Sequence, residues 1–232
     1  HGFLYCDGSN MKSAVVSLDF PSVGATENIM LASIFLTGKT KIINCAKEPE
    51  IVDLANFLNS LGAKIYNAGD SVIEIEGVQS LHGGEYTPIS DRIVTGTYML
   101  ATVICGGNVT LNNVCYDHIA SLVHKIKNNC CKVSIKGDKL TVIANKRPKA
   151  ISKIETQPYP GFPTDLQPQI MSMLSIAKGT SVIVENLFES RFKHVSMLKK
   201  LGADILVNDK TAIIKGVPML YGANVTCCDL RG

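Results

Sequence analysis

The stretch FPSVGATENIML, residues 20–31, decides how the whole chain is interpreted, because its layout returns twice further along. In each copy a β-branched run leads into a short polar turn, and a wholly apolar helical segment follows. A methionine of that segment precedes a glycine by eight residues each time. The three pairs are Met30 and Gly38, Met99 and Gly107, and Met171 and Gly179. The sequence therefore contains an internal repeat with a period of roughly 70 residues, which predicts stacked copies of one supersecondary unit.

Each copy contains two kinds of helix. The first is apolar on nearly every side, which is typical of a helix that is buried all round. These inner helices are predicted over residues 25–36, 98–104 and 166–177. The second helix of the first copy, residues 49–61, has an apolar stripe on one face and polar residues on the other. Pro49 suits its first turn and Gly62 its C-terminal cap.

The remaining runs predict strands, so that each copy has the order β-α-β-α-β-β. Strands are predicted over residues 14–18, 40–44, 64–66, 72–76, 108–113, 132–135, 140–144, 151–155, 180–186, 204–207 and 212–215. The second copy is predicted to open through residues 86–92. Residues 2–6 have the pattern of a last strand from an earlier copy, and residues 222–232 match the head of a further one. We therefore expect the chain to begin and end inside a repeat.

The economical packing of several such copies places the apolar helices together inside, with the sheets and striped helices outside them. We predict an α/β fold with buried central helices, strands toward the surface and approximate threefold internal symmetry. Functional residues are then expected at the seams between copies.

Composition excludes several classes of function. No apolar run reaches the roughly 18 residues that a membrane span requires, and the net charge of +3 is too small to indicate nucleic-acid binding. The eight cysteines include no C-x-x-C spacing, so we expect free thiols in a reducing cytoplasm. We accordingly expect no membrane, nucleic-acid or metal partner and no cofactor. No Walker loop, G-x-G-x-x-G, H-E-x-x-H or G-x-S-x-G motif occurs.

The polar turn before the first inner helix is the first candidate site. A helix N-terminus has free backbone N–H groups and the positive end of the helix dipole, both of which suit a phosphate. Gly24 would let the backbone approach a ligand closely, and Ser22 could donate its hydroxyl. The structural alternative is that Ser22 only caps the helix, and an S-x-G turn taken alone favours the cap.

The turn before the third inner helix carries the second candidate, Asp165. A carboxylate at the start of a buried helix is a common cap, because the helix dipole stabilises it. Three prolines within residues 158–163 nevertheless stiffen this loop more than a simple connection needs. The functional alternative is that Asp165 accepts a proton or a hydrogen bond from a substrate hydroxyl.

The run NLFESRFKH, residues 186–194, is the third candidate. Arg191 could hold an anion there and His194 could titrate, although a hydrogen-bonded helix histidine is the preferred interpretation of His194. Two further pairs of Asp and Arg share a layout at the heads of copies, and an ion pair is the default account of each. They are Asp91 with Arg92 and Asp229 with Arg231.

Six motifs in a fixed order carry a resemblance to a known family. They read LDFPSVGATENIML, AKEPEIVDLANFLNSLGAKI, SDRIVTGTYM, PYPGFPTDLQPQIMSML, FESRFKHV and DLRG. Through them essentially all 232 residues closely resemble the UDP-N-acetylglucosamine 1-carboxyvinyltransferase family. The resemblance implies an inside-out α/β barrel architecture of two domains, each with three βαβαββ units, in agreement with the repeat.

The resemblance also implies a reaction. The enolpyruvyl group of phosphoenolpyruvate would be transferred to the 3′-hydroxyl of UDP-N-acetylglucosamine with release of phosphate, as the first committed step of peptidoglycan synthesis. The FPSVG stretch matches the family's uridine-diphosphate contact, and Asp165 matches the aspartate that faces the reacting hydroxyl and is proposed as its base. Thr164 and Leu187 fall at substrate-contacting positions. The remaining matched residues are Pro21, Ser22, Val23 and Gly24 at the diphosphate, Asp91 and Asp229 as hinge aspartates near the active site, and Arg191 and Arg231 of the RF and DLR motifs.

The chain also departs from the family pattern. The family's Lys-Asn pair and its mobile loop with the catalytic cysteine or aspartate would precede this segment, and a phosphate-binding arginine would follow it. Cys115 lies in NVCYDH, a different context from that loop, so we do not expect it to be the nucleophile. We expect residues 1–90 to be the last repeat of the first domain, and residues 91–232 to be two repeats of the second plus the start of a further one. This piece is expected to be inactive alone.

Two other functions stay open. The shikimate-pathway enolpyruvyl transferase shares the family's fold but not these motifs. A non-catalytic paralogue could keep the nucleotide-sugar turn as a sensor or scaffold, and it would then lack the lysine and the loop cysteine or aspartate.

Overall fold

The structure is a computed structural model, and it describes residues 2–127, 129 and 131–227. The chain divides into two compact units, His1–Ile89 and Ser90–Gly232, which are described one at a time.

The first unit is one βαβαββ module built around a four-stranded sheet. Its elements are β1 (Val15–Ser17), α1 (Val23–Ser33), β2 (Lys39–Ile43), α2 (Pro49–Ser60), β3 (Lys64–Tyr66) and β4 (Val72–Glu76). The strands lie in the order β1-β2-β4-β3, with β1 parallel to β2 and the other neighbours antiparallel. Met30, Ile51 and Ile73 are fully buried in the core between the helices and the sheet.

The second unit contains two sheets. Its elements are α3 (Arg92–Cys105), β5 (Gly107–Leu111), α4 (Tyr116–Ile126), β6 (Cys131–Lys136), β7 (Lys139–Ala144), β8 (Lys153–Glu155), a 3₁₀ turn (Thr164–Leu166), α5 (Gln167–Ser175), β9 (Thr180–Val184), α6 (Val195–Lys200), β10 (Asp204–Asn208) and β11 (Thr211–Lys215). The strand orders are β5-β7-β6 and β8-β9-β11-β10. The second of these repeats the topology of the first unit, with β8 parallel to β9. Among the described residues the three sheets stay separate and form no closed barrel.

The repeated glycines have a common conformation that explains their spacing. Gly38, Gly107 and Gly179 have φ angles of 103°, 122° and 110°, and each lies at the turn from an inner helix to the next strand. Only glycine adopts such angles without strain. The spacing between methionine and glycine thus marks the same backbone turn in all three copies.

A second pair of glycines is required by close packing of the backbone. A β-carbon added at Gly77 would lie 1.7 Å from the carbonyl oxygen of Leu36, and one added at Gly216 would lie 1.7 Å from that of Ala177. Both positions directly follow the last strand of a copy, where the chain crosses the end of the inner helix. The first and third copies therefore use the same crossing.

The end of α5 is also bound by an arginine from the preceding copy. The Arg147 guanidinium donates to the carbonyl oxygens of Ile176, Ala177 and Val217 at 2.6, 3.1 and 2.8 Å. A cation suits the negative end of a helix dipole, and the carbonyls of Ile176 and Ala177 directly follow the C-terminal end of α5. Arg147 thereby connects the segment after β7 to the third copy.

The prediction that all inner helices are buried all round is correct for α5 and wrong for α1 and α3. In α3, Tyr98 is 58% exposed. The helix α5 buries six of its nine residues, whereas α1 buries only Thr26, Met30 and Ser33 of eleven. Leu31 and Phe35 are 47% and 60% exposed. The reason is that α5 packs against α3 on one side and against its own sheet on the other, whereas α1 packs against α2, β2 and β4 of a single module.

Three predicted strands differ from the structure. Residues 2–6 form no strand and are exposed, and residues 222–227 form none either. The second copy lacks its opening strand, because residues 86–92 lead directly into α3. In that segment the Tyr86 hydroxyl and the Ile89 N–H donate to the Asp53 carboxylate of α2, at 2.7 and 3.2 Å. These contacts keep the segment on α2 in the first unit instead of beside β5.

Candidate functional site

Asp165 and Arg191 form an ion pair, with Arg191 Nη2 2.7 Å from Asp165 Oδ1. The Arg191 side chain is only 14% exposed, and its guanidinium lies 4.3 Å from the centre of the Phe188 ring. The Asp165 side chain is 50% exposed. The guanidinium is therefore fixed by stacking and by the carboxylate, and the carboxylate stays accessible from solvent.

The topology of the sheet explains why these two residues meet. Asp165 lies in the connection from β8 to α5, and Arg191 lies in the connection from β9 to α6. Because β8 and β9 are parallel neighbours, their C-terminal ends lie at the same edge of the sheet. Such edges are the usual place for ligands in α/β folds.

The capping interpretation of Asp165 is wrong. The 3₁₀ turn that contains Asp165 is preceded by Pro163, and the N-cap of α5 is Leu166; neither end has a hydrogen bond from a capping side chain. The carboxylate is directed to Arg191 instead.

Sequence reasoning missed Glu185, which is only 1% exposed. Its Oε1 accepts from the Thr156 hydroxyl at 2.8 Å and from the backbone N–H groups of Leu187 and Phe188 at 3.1 and 3.3 Å. Its Oε2 accepts from the Thr164 hydroxyl at 2.8 Å. The signal was present in the repeat: the residue six positions after the turn glycine is Asn44, Asn113 and Glu185 in the three copies. Both asparagines have a φ of 57°, whereas Glu185 has no positive φ. The Glu185 N–H donates to the carbonyl just before the last strand of its copy, as the N–H groups of Cys45 and Val114 do in theirs. The third copy therefore lacks the asparagine turn residue, and Glu185 takes the backbone position of Cys45 and Val114.

A cavity of about 320 Å³ lies beside the ion pair. It is lined by Glu185, Phe188, Glu189, Ser190, Arg191, Phe192, Asp209 and Lys210. Its walls combine an aromatic surface with charges of both signs, which suits a ligand with both a ring and ionised groups.

Ser22 caps α1, as the structural alternative predicted. Its Oγ accepts from the Ala25 N–H at 3.3 Å, and its carbonyl accepts from the Thr26 hydroxyl at 2.8 Å. The cap uses the serine oxygen as an acceptor, so the hydroxyl proton remains for another acceptor. No atom lies within 4 Å of a β-carbon built at Gly24, so the backbone there can be approached closely.

The neighbouring residues of this turn are partly open. Pro21 and Val23 are half-buried and Gly24 is exposed. Burial, with a smaller contribution from Glu50, raises the pKa of the Glu27 carboxyl above its ordinary value.

Asp91 caps α3, because its Oδ1 accepts from the N–H groups of Ile93 and Val94 at 2.7 and 3.0 Å. The default account of an ion pair with Arg92 does not describe this carboxylate. Arg92 is buried, and its guanidinium lies 5.7 Å from the centre of the Tyr159 ring. Asp229 and Arg231 lie outside the described residues, and the interpretation of that pair stays a prediction.

The structure thus brings together some of the predicted site residues. Asp165 and Arg191 are in contact, and Thr164 and Leu187 are joined through Glu185. His194 directly precedes α6 in the same connection. The Ser22 turn belongs to the first unit and is described by itself. The substrate contacts predicted for these residues stay predictions.

The described residues contain no group of three or more His, Cys, Asp or Glu side chains arranged to hold a metal ion. Within the same ranges, every helix is too short or too polar to cross a membrane.

Comparison with known proteins identifies the family. A sequence model of the EPSP synthase (3-phosphoshikimate 1-carboxyvinyltransferase) family matches residues 4–232. The chain belongs to the EPSP synthase family. Several curated relatives of this chain have a different substrate in their names.

Several curated relatives are named UDP-N-acetylglucosamine 1-carboxyvinyltransferase. Two from Caldanaerobacter subterraneus subsp. tengcongensis are 50% and 51% identical over 232 and 231 residues, which is 100% of this chain and 56% and 55% of those proteins. One from Thermotoga maritima is 47% identical over 233 residues, with 100% and 55% coverage. The resemblance stated from the motifs is confirmed. The chain spans about half the length of the curated relatives it matches.

Solved structures confirm the α/β enolpyruvyl transferase fold. The enolpyruvyl transferase NikO from Streptomyces tendae matches with a TM-score of 0.82 and 23% identity, over 98% of this chain and 58% of that one. EPSP synthase from Acinetobacter baumannii matches with a TM-score of 0.61 and 20% identity, over 90% and 50%. At these identities the likeness concerns the fold alone.

Proposed function

We propose that the protein carrying this chain transfers the enolpyruvyl group of phosphoenolpyruvate to the 3′-hydroxyl of UDP-N-acetylglucosamine and releases phosphate. The observation that carries this proposal is identity of about 50% along the whole chain to enzymes named for that transfer. The reaction would be the first committed step of peptidoglycan synthesis, and it would take place in the cytoplasm, where the precursors are made. The shikimate-pathway alternative is disfavoured, because the EPSP synthase structures are only 20% identical.

Asp165 is the proposed base for the sugar hydroxyl. A carboxylate that is half exposed and oriented by a stacked guanidinium can accept a proton from a hydroxyl placed beside it. Leu187, in the next connection, would contact the sugar, and Thr164 would contribute to the same surface. Arg191 orients the carboxylate and adds positive charge where anionic substrates bind.

The turn before α1 is the proposed diphosphate site. The first N–H groups of an eleven-residue helix, the open approach to Gly24 and the free proton of Ser22 together suit a diphosphate. Pro21 and Val23 shape the same turn. Asp91, Asp229 and Arg231 are proposed near the active site by resemblance only.

We also propose the arrangement of the whole protein. Residues 1–90 would be the last repeat of one domain, and residues 91–232 would be two repeats of the other plus the start of a third. Each domain would close into an inside-out barrel, with the exposed apolar face of α1 covered by the remaining repeats of its domain.

A coupled assay of phosphate release by the full-length protein tests the activity. Release is expected with phosphoenolpyruvate and UDP-N-acetylglucosamine together, and not when either is omitted. Shikimate 3-phosphate in place of the nucleotide sugar is the matched control. Release with phosphoenolpyruvate and shikimate 3-phosphate, but not with phosphoenolpyruvate and the nucleotide sugar, would assign the protein to the shikimate pathway. Binding of the nucleotide sugar without release of phosphate would favour the non-catalytic paralogue.

A further inference from the structure

Glu185 is a buried charged group of the second unit that the proposed reaction does not use. Its carboxylate is 1% exposed and accepts four hydrogen bonds, two from hydroxyls and two from backbone N–H groups. All four partners are donors, which suits a carboxylate because an ionised carboxylate only accepts. A buried carboxylate with this number of partners has a single well-defined orientation.

The four bonds connect three separate segments at the same sheet edge. Thr156 directly follows β8, Thr164 directly precedes Asp165, and Leu187 and Phe188 begin the connection that leads to Arg191. Thr156 is bound twice more, because its hydroxyl accepts from the Asn186 N–H at 2.9 Å and its carbonyl accepts from the Asn186 amide at 3.3 Å. The segment that carries the proposed base and the segment that carries the arginine are thus attached to one carboxylate.

We infer that Glu185 is a positioning residue that holds Asp165, through Thr164, and Leu187, through its backbone N–H, in the geometry needed for the nucleotide sugar. This inference rests on the proposed function. Glu185 acts through these neighbours and is not itself assigned a contact with substrate. The four donors are divided between the two carboxylate oxygens, and a side-chain amide has only one oxygen that can accept them. A carboxylate therefore suits this position better than an amide.

Three variants of the full-length protein test the inference. Glu185→Ala removes all four bonds. Glu185→Gln keeps the acceptor for Thr156, Leu187 and Phe188, while its amide N–H₂ faces a Thr164 hydroxyl that can accept instead. Thr164→Val removes only the bond next to Asp165 and is the variant least disturbing to the fold. Glu155→Gln, in the neighbouring exposed ion pair with Lys153, is the matched control.

The variants are expected to affect the kinetic constants for the two substrates differently. We expect Glu185→Ala to lower kcat/KM for UDP-N-acetylglucosamine by about 100-fold, the usual cost of a displacement near 1 Å at a reacting group. Glu185→Gln and Thr164→Val should lose about 10-fold or less by the same reasoning. The KM for phosphoenolpyruvate should stay near the wild-type value in all three. Glu155→Gln should match the wild type.

Titration calorimetry with UDP-N-acetylglucosamine and thermal melting complete the test. An unchanged kcat/KM in a folded Glu185→Ala protein would overturn the inference. A fall in kcat no larger than the fraction of protein found unfolded at the assay temperature would also overturn it, since loss of folded enzyme would then explain the whole effect. Failure of the proposed function would be seen in a different measurement, because the wild-type protein would then release no phosphate in the coupled assay. If that wild type still binds the nucleotide sugar, weaker binding by Glu185→Ala than by Glu155→Gln supports the positioning role, and equal binding overturns it. A wild type that does not bind the sugar overturns both.

Discussion

At the scale of single residues, the Asp165 carboxylate has its two oxygens in different environments. Oδ1 is occupied by Arg191, while half of the side chain stays open to solvent. In this geometry Oδ1 orients the carboxylate through its contact with Arg191. The other oxygen is left to receive a hydrogen bond from a substrate hydroxyl.

Asp165→Asn tests this division. The amide keeps the size and one acceptor but cannot take a proton, so turnover should fall by about 10²- to 10⁴-fold, the usual contribution of a general base. Binding of UDP-N-acetylglucosamine should change much less. Steady-state phosphate release and calorimetry in the full-length protein measure the two effects. Asp204→Asn, an exposed carboxylate at the start of β10, is the control. Unchanged turnover of Asp165→Asn would dismiss this residue as the base.

The cysteines allow a second test at this scale. Cys45 is buried and donates to the Asp70 carbonyl at 3.2 Å, and burial raises the pKa of its thiol. The thiolate is the reactive form, so at about pH 8 alkylation of Cys45 should be much slower than that of an exposed thiol. The exposed thiols for comparison are Cys6, Cys105 and Cys115. Peptide mass spectrometry after timed iodoacetamide treatment measures the rates, and the rate at Cys45 should keep rising with pH above the ordinary range of a thiol pKa. Equal rates would contradict its burial.

At the scale of elements, the first and third copies need glycine after their last strand, because the chain there crosses the end of the inner helix too closely for a side chain. Gly77→Ala should destabilise the protein by about 3 kcal/mol or more, because a β-carbon would overlap the Leu36 carbonyl oxygen and backbone must move. Gly83→Ala is the control in the same unit, since nothing lies within 4 Å of its β-carbon position. Urea unfolding compares the two. Similar midpoints for both variants would show that the crossing tolerates a side chain.

The arginine at the end of α5 gives a prediction about the third copy. Arg147→Met keeps much of the apolar stem but leaves the carbonyls of Ile176 and Val217 without their charged donor. A loss of about 2–4 kcal/mol is expected, since each hydrogen bond to a charged group contributes about 1.5–3 kcal/mol. Urea unfolding measures it, with Lys149→Met, an exposed neighbour, as the control. A loss no larger than that of Lys149→Met would contradict the proposed role.

The sequence predicted those elements whose signal is local. The turn glycines require a positive φ wherever they occur, and the stripe of α2 records its single buried face, so both were correctly interpreted. The missing opening strand of the second copy depends on Asp53, more than 30 residues away from Tyr86, and no local pattern indicates that contact. Glu185 was missed for a related reason: it falls inside the strand predicted over residues 180–186, and the partners that bury its carboxylate, Thr156 and Thr164, are 29 and 21 residues away in the chain.

At the scale of the whole molecule, the exposed apolar face of α1 tests the proposed barrel. If the remaining repeats cover that face, Leu31→Gln, at a side chain of α1 that is 47% exposed, should cost the full-length protein about 2 kcal/mol, the usual value for burying a large apolar side chain. Leu206→Gln is the control, because this side chain is 63% exposed on β10 and the proposed barrel has its strands toward the surface, so it should cost nothing measurable. Thermal or urea unfolding measures both. Equal stabilities would show that the face of α1 stays open in the complete protein.

A chain built from repeated copies has the same backbone position several times. The residue whose N–H binds the carbonyl just before the last strand is Cys45, Val114 and Glu185 in the three copies. The first two have small, weakly polar or apolar side chains, and the third is the carboxylate that connects three segments. A position whose chemistry differs in one copy is therefore a practical guide to specialised residues in chains of this kind, even where no standard motif marks them.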